Sequence, residues 1–331
     1  MSDSPLPMDD LRTLLPDWER RLKYLNRAPS TIAGYLRVAE EFIEFLRERE
    51  LPTRAPEITR GHLESYFVYL SERPHKRTGK PLSAANTARH YRTLQQLFKW
   101  LHEIEEEIER NPFAKMRPPQ IPDTKTPILT DEQIKALLAA CKNNPSRHKA
   151  DTQFVNRRDE AIVRLFLDTG ARVGEIAGLR LGDVDFEMDV VHVLGKGRRR
   201  RAAPFGLKTG EALRRYLRAR ERYPTGGPMD PDDPGERGER PLWVSRQGRF
   251  TDYGIREMLL RRSKDAGIGR IHPHMFRHTF AHRWLAAGGQ EQDLMRLAGW
   301  RSREMIGRYG ASAADERARE AHRRRGLADR F

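Results

Sequence analysis

One set of side chains in this 331-residue chain belongs to types that together can move a phosphoryl group without a metal. Arg172 and Glu175 lie in DTGARVGEIAGLRLGDVD, and Lys196 sits between two glycines in VVHVLGKGRRRRAAPF. His274 and Arg277 lie in HPHMFRHTFAHRWLAAGG, and Trp300 and Tyr309 stand nine residues apart in LMRLAGWRSREMIGRYG. In-line attack on a phosphodiester builds negative charge on the non-bridging oxygens, which Mg²⁺ usually offsets. Arg172 and Arg277 can offset it instead, through bidentate charge-assisted hydrogen bonds. A tyrosine is a poor nucleophile at neutral pH because its pKa is about 10. Adjacent guanidiniums favour the phenolate, and His274 can take the proton. Lys196 can supply the proton that a leaving 5′-oxygen needs. The product is a covalent phosphotyrosine whose bond energy is roughly kept, so resealing needs no ATP. No P-loop sequence occurs, and neither cofactor nor metal is expected.

Each motif also has a plainer reading. Gly170 is a plausible C-terminal stop for a helix over about 158–168, and a second helix starts near Val173. Arg172 then lies at a tight junction beside a helix N-terminus, suited to anions, with Glu175 in the first turn to brace it. A purely structural Arg–Glu pair fits the same residues. Lys196 at a hairpin tip, followed by Arg198, Arg199, Arg200 and Arg201, can enter a groove of duplex DNA, and glycines let the backbone approach closely; an exposed turn beside a generic basic patch fits as well. His274, His278 and His282 share one helical face at i, i+4 and i+8. A zincin would need His-Glu-x-x-His, which this stretch lacks, and Arg277 would repel a cation. His278 and His282 are assigned to core packing, and His274 with Arg277 to a phosphate-facing pair. Tyr35, Tyr91 and Tyr216 fall in apolar helical patterns, and the remaining tyrosines have no arginine motif beside them, which leaves Tyr309 as the candidate nucleophile.

Two domains must carry these residues. Residues 8–26, 30–50, 59–71 and 83–104 read as amphipathic helices, with Ser30 as the expected N-cap of the second. They form a helical domain over 8–112. The proline-rich stretch NPFAKMRPPQIPDTKTP marks a linker, bounded at 113–128. Thr130 and Gln133 then fit a capping box that opens the next helix. The second domain, 129–312, is mostly helical with one β-hairpin signal over 190–205. Residues 224–240 read as an insertion, and 313–331 as a charged tail.

The charge balance points to the partner. The net charge is +15, and arginine supplies 50 of the 62 basic residues. Residues 1–120 carry 20 basic and 18 acidic residues, against 42 and 29 in the remainder. The C-terminal part therefore feels phosphate most strongly, and arginine forks suit phosphate geometry. A single cysteine, Cys141, excludes an internal disulfide. No signal peptide is evident and no apolar run is long enough to cross a membrane, so a cytoplasmic, nucleoid-associated protein is expected.

In order, Thr-Gly-Ala-Arg-x-x-Glu, Gly-Lys-Gly, His-x-x-Arg-His, Leu-Ala-Gly-Trp and the following Tyr, over about 160–312, resemble the tyrosine recombinase (phage integrase) family, in its compact two-domain Xer-like form. The resemblance implies a mainly α fold with a small β-hairpin or sheet: an N-terminal helical, SAM-like core-binding domain that clamps DNA, and a C-terminal catalytic domain. It implies site-specific cutting and rejoining of double-stranded DNA through a 3′-phosphotyrosine, in a homotetramer or a hetero-tetramer with a second recombinase. Arg172 and Arg277 would be the catalytic arginines, Lys196 the general acid, His274 the acid/base, Tyr309 the nucleophile and Glu175 a supporting acid. The tail would dock on a neighbouring protomer. Trp300 departs from the histidine more often found there; an indole N–H only donates, so it can hold a phosphate oxygen and cannot shuttle a proton. A topoisomerase-like nicking and resealing enzyme shares this chemistry, and a non-catalytic DNA-binding protein shares the charge.

Overall fold

The computed structural model describes residues 6–74, 79, 82–120, 127–143, 151–195, 199–223, 239–307, 318–319 and 322–326. The chain divides into two compact units, residues 1–124 and 125–331.

Among the described residues, the α-helices of the first unit are α1 (Leu11–Tyr24), α2 (Pro29–Glu48), α3 (Arg60–Glu72) and α4 (Ala84–Glu103). Their apolar stripes meet in one core that includes Trp18, Phe42, Tyr66 and Phe98. Asp10 caps α1 by accepting from the Arg12 amide at 2.9 Å, and Ser83 caps α4 through the Asn86 amide. The start of α2 differs from the expected Ser30 cap. Pro29 takes the first helical position and Ala28 the cap; a proline there loses no hydrogen bond and presets φ. The start of the proline-rich stretch is also more than a connector. Phe113 is buried against Tyr91 and Phe98, and the Tyr91 hydroxyl donates to the Met116 carbonyl at 2.9 Å. An aromatic residue between prolines finds a core even where no helical period marks it.

The second unit runs α5 (Asp131–Asn143), α6 (Thr152–Thr169), α7 (Val173–Ala177), a sheet, α8 (Leu207–Glu221), a short hairpin, α9 (Asp252–Asp265), α10 (Pro273–Ala286) and α11 (Glu291–Ala298). The capping box at α5 is present: the Thr130 amide donates to Gln133 Oε1 at 3.0 Å and the Gln133 amide to Thr130 Oγ1 at 3.3 Å. The sheet is antiparallel in the order β1 (Val184–Asp185), β2 (Val190–Leu194), β3 (Arg200–Pro204), with Val193 opposite Arg201. A second hairpin, β4 (Val244–Ser245) with β5 (Gly248–Arg249), had no signal in the sequence reading. The main core gathers Ile162, Phe166, Tyr216, Trp243 and Phe276. Helix α6 starts earlier than expected, at Thr152: Phe154 joins the core, and Asn156 accepts from Arg262 of α9 at 2.9 Å and donates to the Lys142 carbonyl at 3.0 Å. A smaller cluster, Ala281, Leu285, Leu294, Ala298, Trp300 and Ile306, joins α10 to α11. Among the described residues, no helix is long and apolar enough to cross a membrane.

The first unit buries a histidine beside a tyrosine. The Tyr66 hydroxyl and His90 Nδ1 lie 3.0 Å apart in its core. Burial, reinforced by Arg89 and Arg73, lowers the His90 pKa from 6.5 to about 4. The unfolded chain therefore binds a proton below pH 6.5 that the folded chain refuses, and stability falls as pH drops from 6.5 toward 4. The urea midpoint of this unit is expected to drop over that window in the wild type and to drop less in His90→Gln; equal slopes would exclude His90 as the cause.

Candidate active site

The junction between α6 and α7 sets the floor of the site. Gly170 stops α6 in the left-handed conformation, φ +54°, and donates to the Phe166 carbonyl. A Cβ at Gly170 would fall 2.6 Å from Phe280 of α10, so the turn requires glycine both for its φ and for this approach. Arg172 then occupies the cap of α7. Its amide donates to Glu175 Oε2 at 2.9 Å and its Nη1 to Glu175 Oε1 at 2.8 Å. A second arginine shares that carboxylate: Arg201 Nη2 on β3 donates to Glu175 Oε2 at 2.9 Å. Burial alone would raise the Glu175 carboxyl, but the Arg201 hydrogen bond and charge and the Arg172 bonds outweigh it, and its pKa is lowered.

Helix α10 supplies the opposite wall. Pro273 opens it, which suits the first turn, and His274 follows one residue later, exposed to the cleft. Arg277 is 1% exposed. Its Nη1 donates to the Gly170 carbonyl at 2.8 Å and its Nη2 to the Ala298 carbonyl at 2.6 Å. Its guanidinium also lies 5.2 Å from the centre of the Trp300 ring, within cation–π range. Trp300 itself is buried in the α10–α11 cluster. Burial, followed by the charges of His272, Arg256, Arg277 and Arg172, lowers the His274 pKa below 6.5. His274 is therefore neutral at pH 7 and able to accept a proton.

Arg172, Glu175, Gly195, Asp252, Arg256, His274 and Arg277 are among the residues that line one cleft of about 490 Å³, which Trp300 and Arg201 do not line. Gly195 leads into Lys196 in the sequence. Lys196, Arg198 and Tyr309 lie outside the described residues. His278 is buried and His282 half-buried, so of the three histidines on that face only His274 lines the cleft. Arg199 and Arg200 are exposed, with Arg200 also bonded to Asp183 at 2.7 Å. Arg201, expected with Arg198, Arg199 and Arg200 to contact DNA, is placed differently from its exposed neighbours. Its side chain turns inward onto Glu175 and the Leu297 carbonyl, because alternate residues of a strand face opposite sides. Sequence reasoning missed Asp252 and Arg256, which α9 brings into the cleft from one helical turn; their i, i+4 spacing was the only local signal.

Comparison with known proteins places the chain among similar sequences and folds. Residues 127–316 match the model of the phage integrase family, and residues 14–108 that of the phage integrase N-terminal SAM-like domain. The chain is 32% identical over 271 residues to the tyrosine recombinase XerC of Thermodesulfovibrio yellowstonii, covering 81% of each. It is 30% identical over 280 residues to XerC of Bacillus subtilis, covering 83% of each. In fold it is similar to the Tn1549 transposon integrase in complex with transposon right-end DNA (TM-score 0.69, 21% identity, 96% of this chain and 99% of that one). A lambda integrase dimer bound to a core site gives a TM-score of 0.65 at 18% identity, over 91% of this chain and 95% of that one.

Glu175→Gln is expected to lower stability by about 2 kcal/mol at pH 7, since hydrogen bonds to charged groups are worth roughly that much and Arg201 loses its counter-charge. The folded carboxyl titrates below its ordinary 4.5. Its contribution is therefore complete above that value and is lost as pH falls through the lower folded pKa. Urea unfolding of both proteins should show the gap closing at acid pH; a gap that stays constant would contradict an ionic role.

Proposed function

The chain belongs to the phage integrase family, and we propose that it is a site-specific DNA recombinase that cuts and rejoins duplex DNA through a 3′-phosphotyrosine. The observation that carries this reading is the single cleft shared by Arg172, His274 and Arg277, with the residue preceding Lys196 in its wall. Two guanidiniums and one neutral imidazole in one cleft suit a phosphodiester whose charge grows during attack. A protein that only binds DNA needs no such cleft.

In this mechanism the Tyr309 oxygen attacks the scissile phosphorus and its proton passes to His274. Arg172 and Arg277 hold the non-bridging oxygens, and Trp300 contributes packing and its indole N–H. The bond to the 5′-oxygen breaks, and Lys196 protonates that oxygen. The result is a 3′-phosphotyrosine and a free 5′-hydroxyl. Attack by a 5′-hydroxyl on the same phosphorus reverses every step, so joining requires neither ATP nor metal. Glu175 supports Arg172, and Arg198, Arg199 and Arg200 contact the backbone of the DNA.

Residues 8–112 serve as the core-binding clamp, 113–128 as the connection, 129–312 as the catalytic domain and 313–331 as a tail that docks on a neighbouring protomer. The two family matches, one to each half, support this division. The working form is a tetramer on DNA, formed by this chain alone or with a second recombinase. Lambda integrase, which shares the fold, has been seen as a tetramer bound to a Holliday junction. The protein acts in the cytoplasm, at the nucleoid; a lone cysteine, Cys141, fits a reducing compartment.

A nicked duplex carrying the target site is expected to yield a covalent protein–DNA adduct in EDTA, and Tyr309→Phe is expected to abolish it. Tight specific binding without an adduct would contradict the mechanism. Exchange between two sites separates recombination from nicking and resealing alone. Arg172→Ala is expected to slow adduct formation roughly 10²- to 10³-fold, as loss of one oxyanion donor does. The acid limb of the second-order cleavage rate is expected below pH 6.5, where His274 takes up its proton, and to vanish in His274→Gln; a limb that persists in that variant belongs to another group.

A further inference from the structure

Arg201 differs from its neighbour in kind. Its side chain is 13% exposed, against 70% for Arg200, and its guanidinium is a junction between separate parts of the site. Nη2 donates to Glu175 Oε2, the carboxylate that also holds Arg172. Nε donates to the Leu297 carbonyl at 2.9 Å, in the last turn of α11. Carbonyls at a helix C-terminus have no acceptor role left within the helix and need donors from outside. Arg277 supplies the next one, at Ala298. Gly299 then turns the chain at φ +66°, and a Cβ there would come within 3.3 Å of Arg201 Cδ. The end of α11 thus lies directly on the Arg201 side chain. The apolar side chains of α11 pack in the small cluster with Trp300, distinct from the main core. Its C-terminal end is tied to the body of the unit by two arginine–carbonyl bonds.

We propose that Arg201 is a positioning residue and not a DNA contact: it fixes the C-terminal end of α11, and Trp300 after it, to the Glu175–Arg172 junction. A planar fork can serve two acceptors in fixed directions, whereas an ammonium is a single point on a flexible stem, so lysine cannot replace it. The effect on rate rests on the recombinase reading; the attachment of α11 does not.

The test compares the full-length wild type with Arg201→Lys, Arg201→Gln and Arg200→Gln in two measurements. The first is hydrogen exchange. In both Arg201 variants, amides of residues 291–306 are expected to exchange at least about 10-fold faster while α6 is unchanged, and Arg200→Gln is expected to leave 291–306 as in the wild type. The second is single-turnover cleavage of a nicked duplex. Both Arg201 variants are expected to lose roughly 10- to 100-fold in rate at saturating protein, the scale of a small misplacement. Their half-saturating concentration and its salt dependence are expected to stay unchanged. A phosphate contact would give the reverse: weaker binding, a salt slope reduced by about 1 and an unchanged saturating rate. That pattern, unchanged exchange at 291–306, full rate in Arg201→Lys, or protection lost throughout the unit in both variants would each overturn the proposal. If the wild type forms no adduct, the recombinase reading fails, and hydrogen exchange still decides the role of Arg201.

Discussion

The site depends on one buried carboxylate held between two guanidiniums. Glu175 accepts from the Arg172 amide and side chain on one side and from Arg201 on the other. Leaving the Glu175 or Arg201 charge without its partner would be costly, because a charge out of water needs an opposite charge and hydrogen bonds. The constraint therefore fixes geometry as well as energy. The α6–α7 junction cannot shift relative to the hairpin without breaking it. The junction that carries Arg172 and the strand that carries Arg201 are thereby held to a common reference.

Arg277 extends the same logic to the other wall. It is the most buried of the cleft arginines, and it holds the Gly170 carbonyl at the end of α6 and the Ala298 carbonyl at the end of α11. Helix ends expose carbonyls that want donors, and here two helix ends share one arginine. A residue proposed to hold a phosphate is thereby locked in place before any phosphate arrives. Such preorganisation is what makes electrostatic stabilisation effective, because no reorganisation is needed as charge develops. The lowered pKa of His274 follows first from burial and then from these cations. Burial and the charges around it disfavour a further proton, which suits an acceptor of the phenolic proton.

Much of this was legible in local sequence. Gly170 before Arg172, Thr130 three residues before Gln133, and the β-branched run of Val190, Val191 and Val193 each encode a backbone geometry directly. What escaped was nonlocal or compensated. The start of α6 was missed because its polar Asn156 is held by distant partners, Arg262 of α9 and the Lys142 carbonyl. Phe113 lacked a helical partner to reveal its burial. Arg256 and Asp252 reach the cleft only because α9 packs beside the α6–α7 junction, and no spacing announces that. Arg201 was partly readable: it shares a strand face with Ala203, which is 1% exposed, so period-two alternation alone turns it inward while Arg200 faces out.

The most direct test is a crystal structure of the Tyr309→Phe protein on an uncleaved duplex site. The account predicts a backbone phosphate seated in the cleft, its non-bridging oxygens within hydrogen-bond distance of Arg172 and Arg277, with His274 alongside and no metal needed to complete the contacts. A specific complex in which every phosphate bypasses the cleft, or in which Arg277 stays bound only to its two carbonyls while the DNA runs elsewhere, would contradict it.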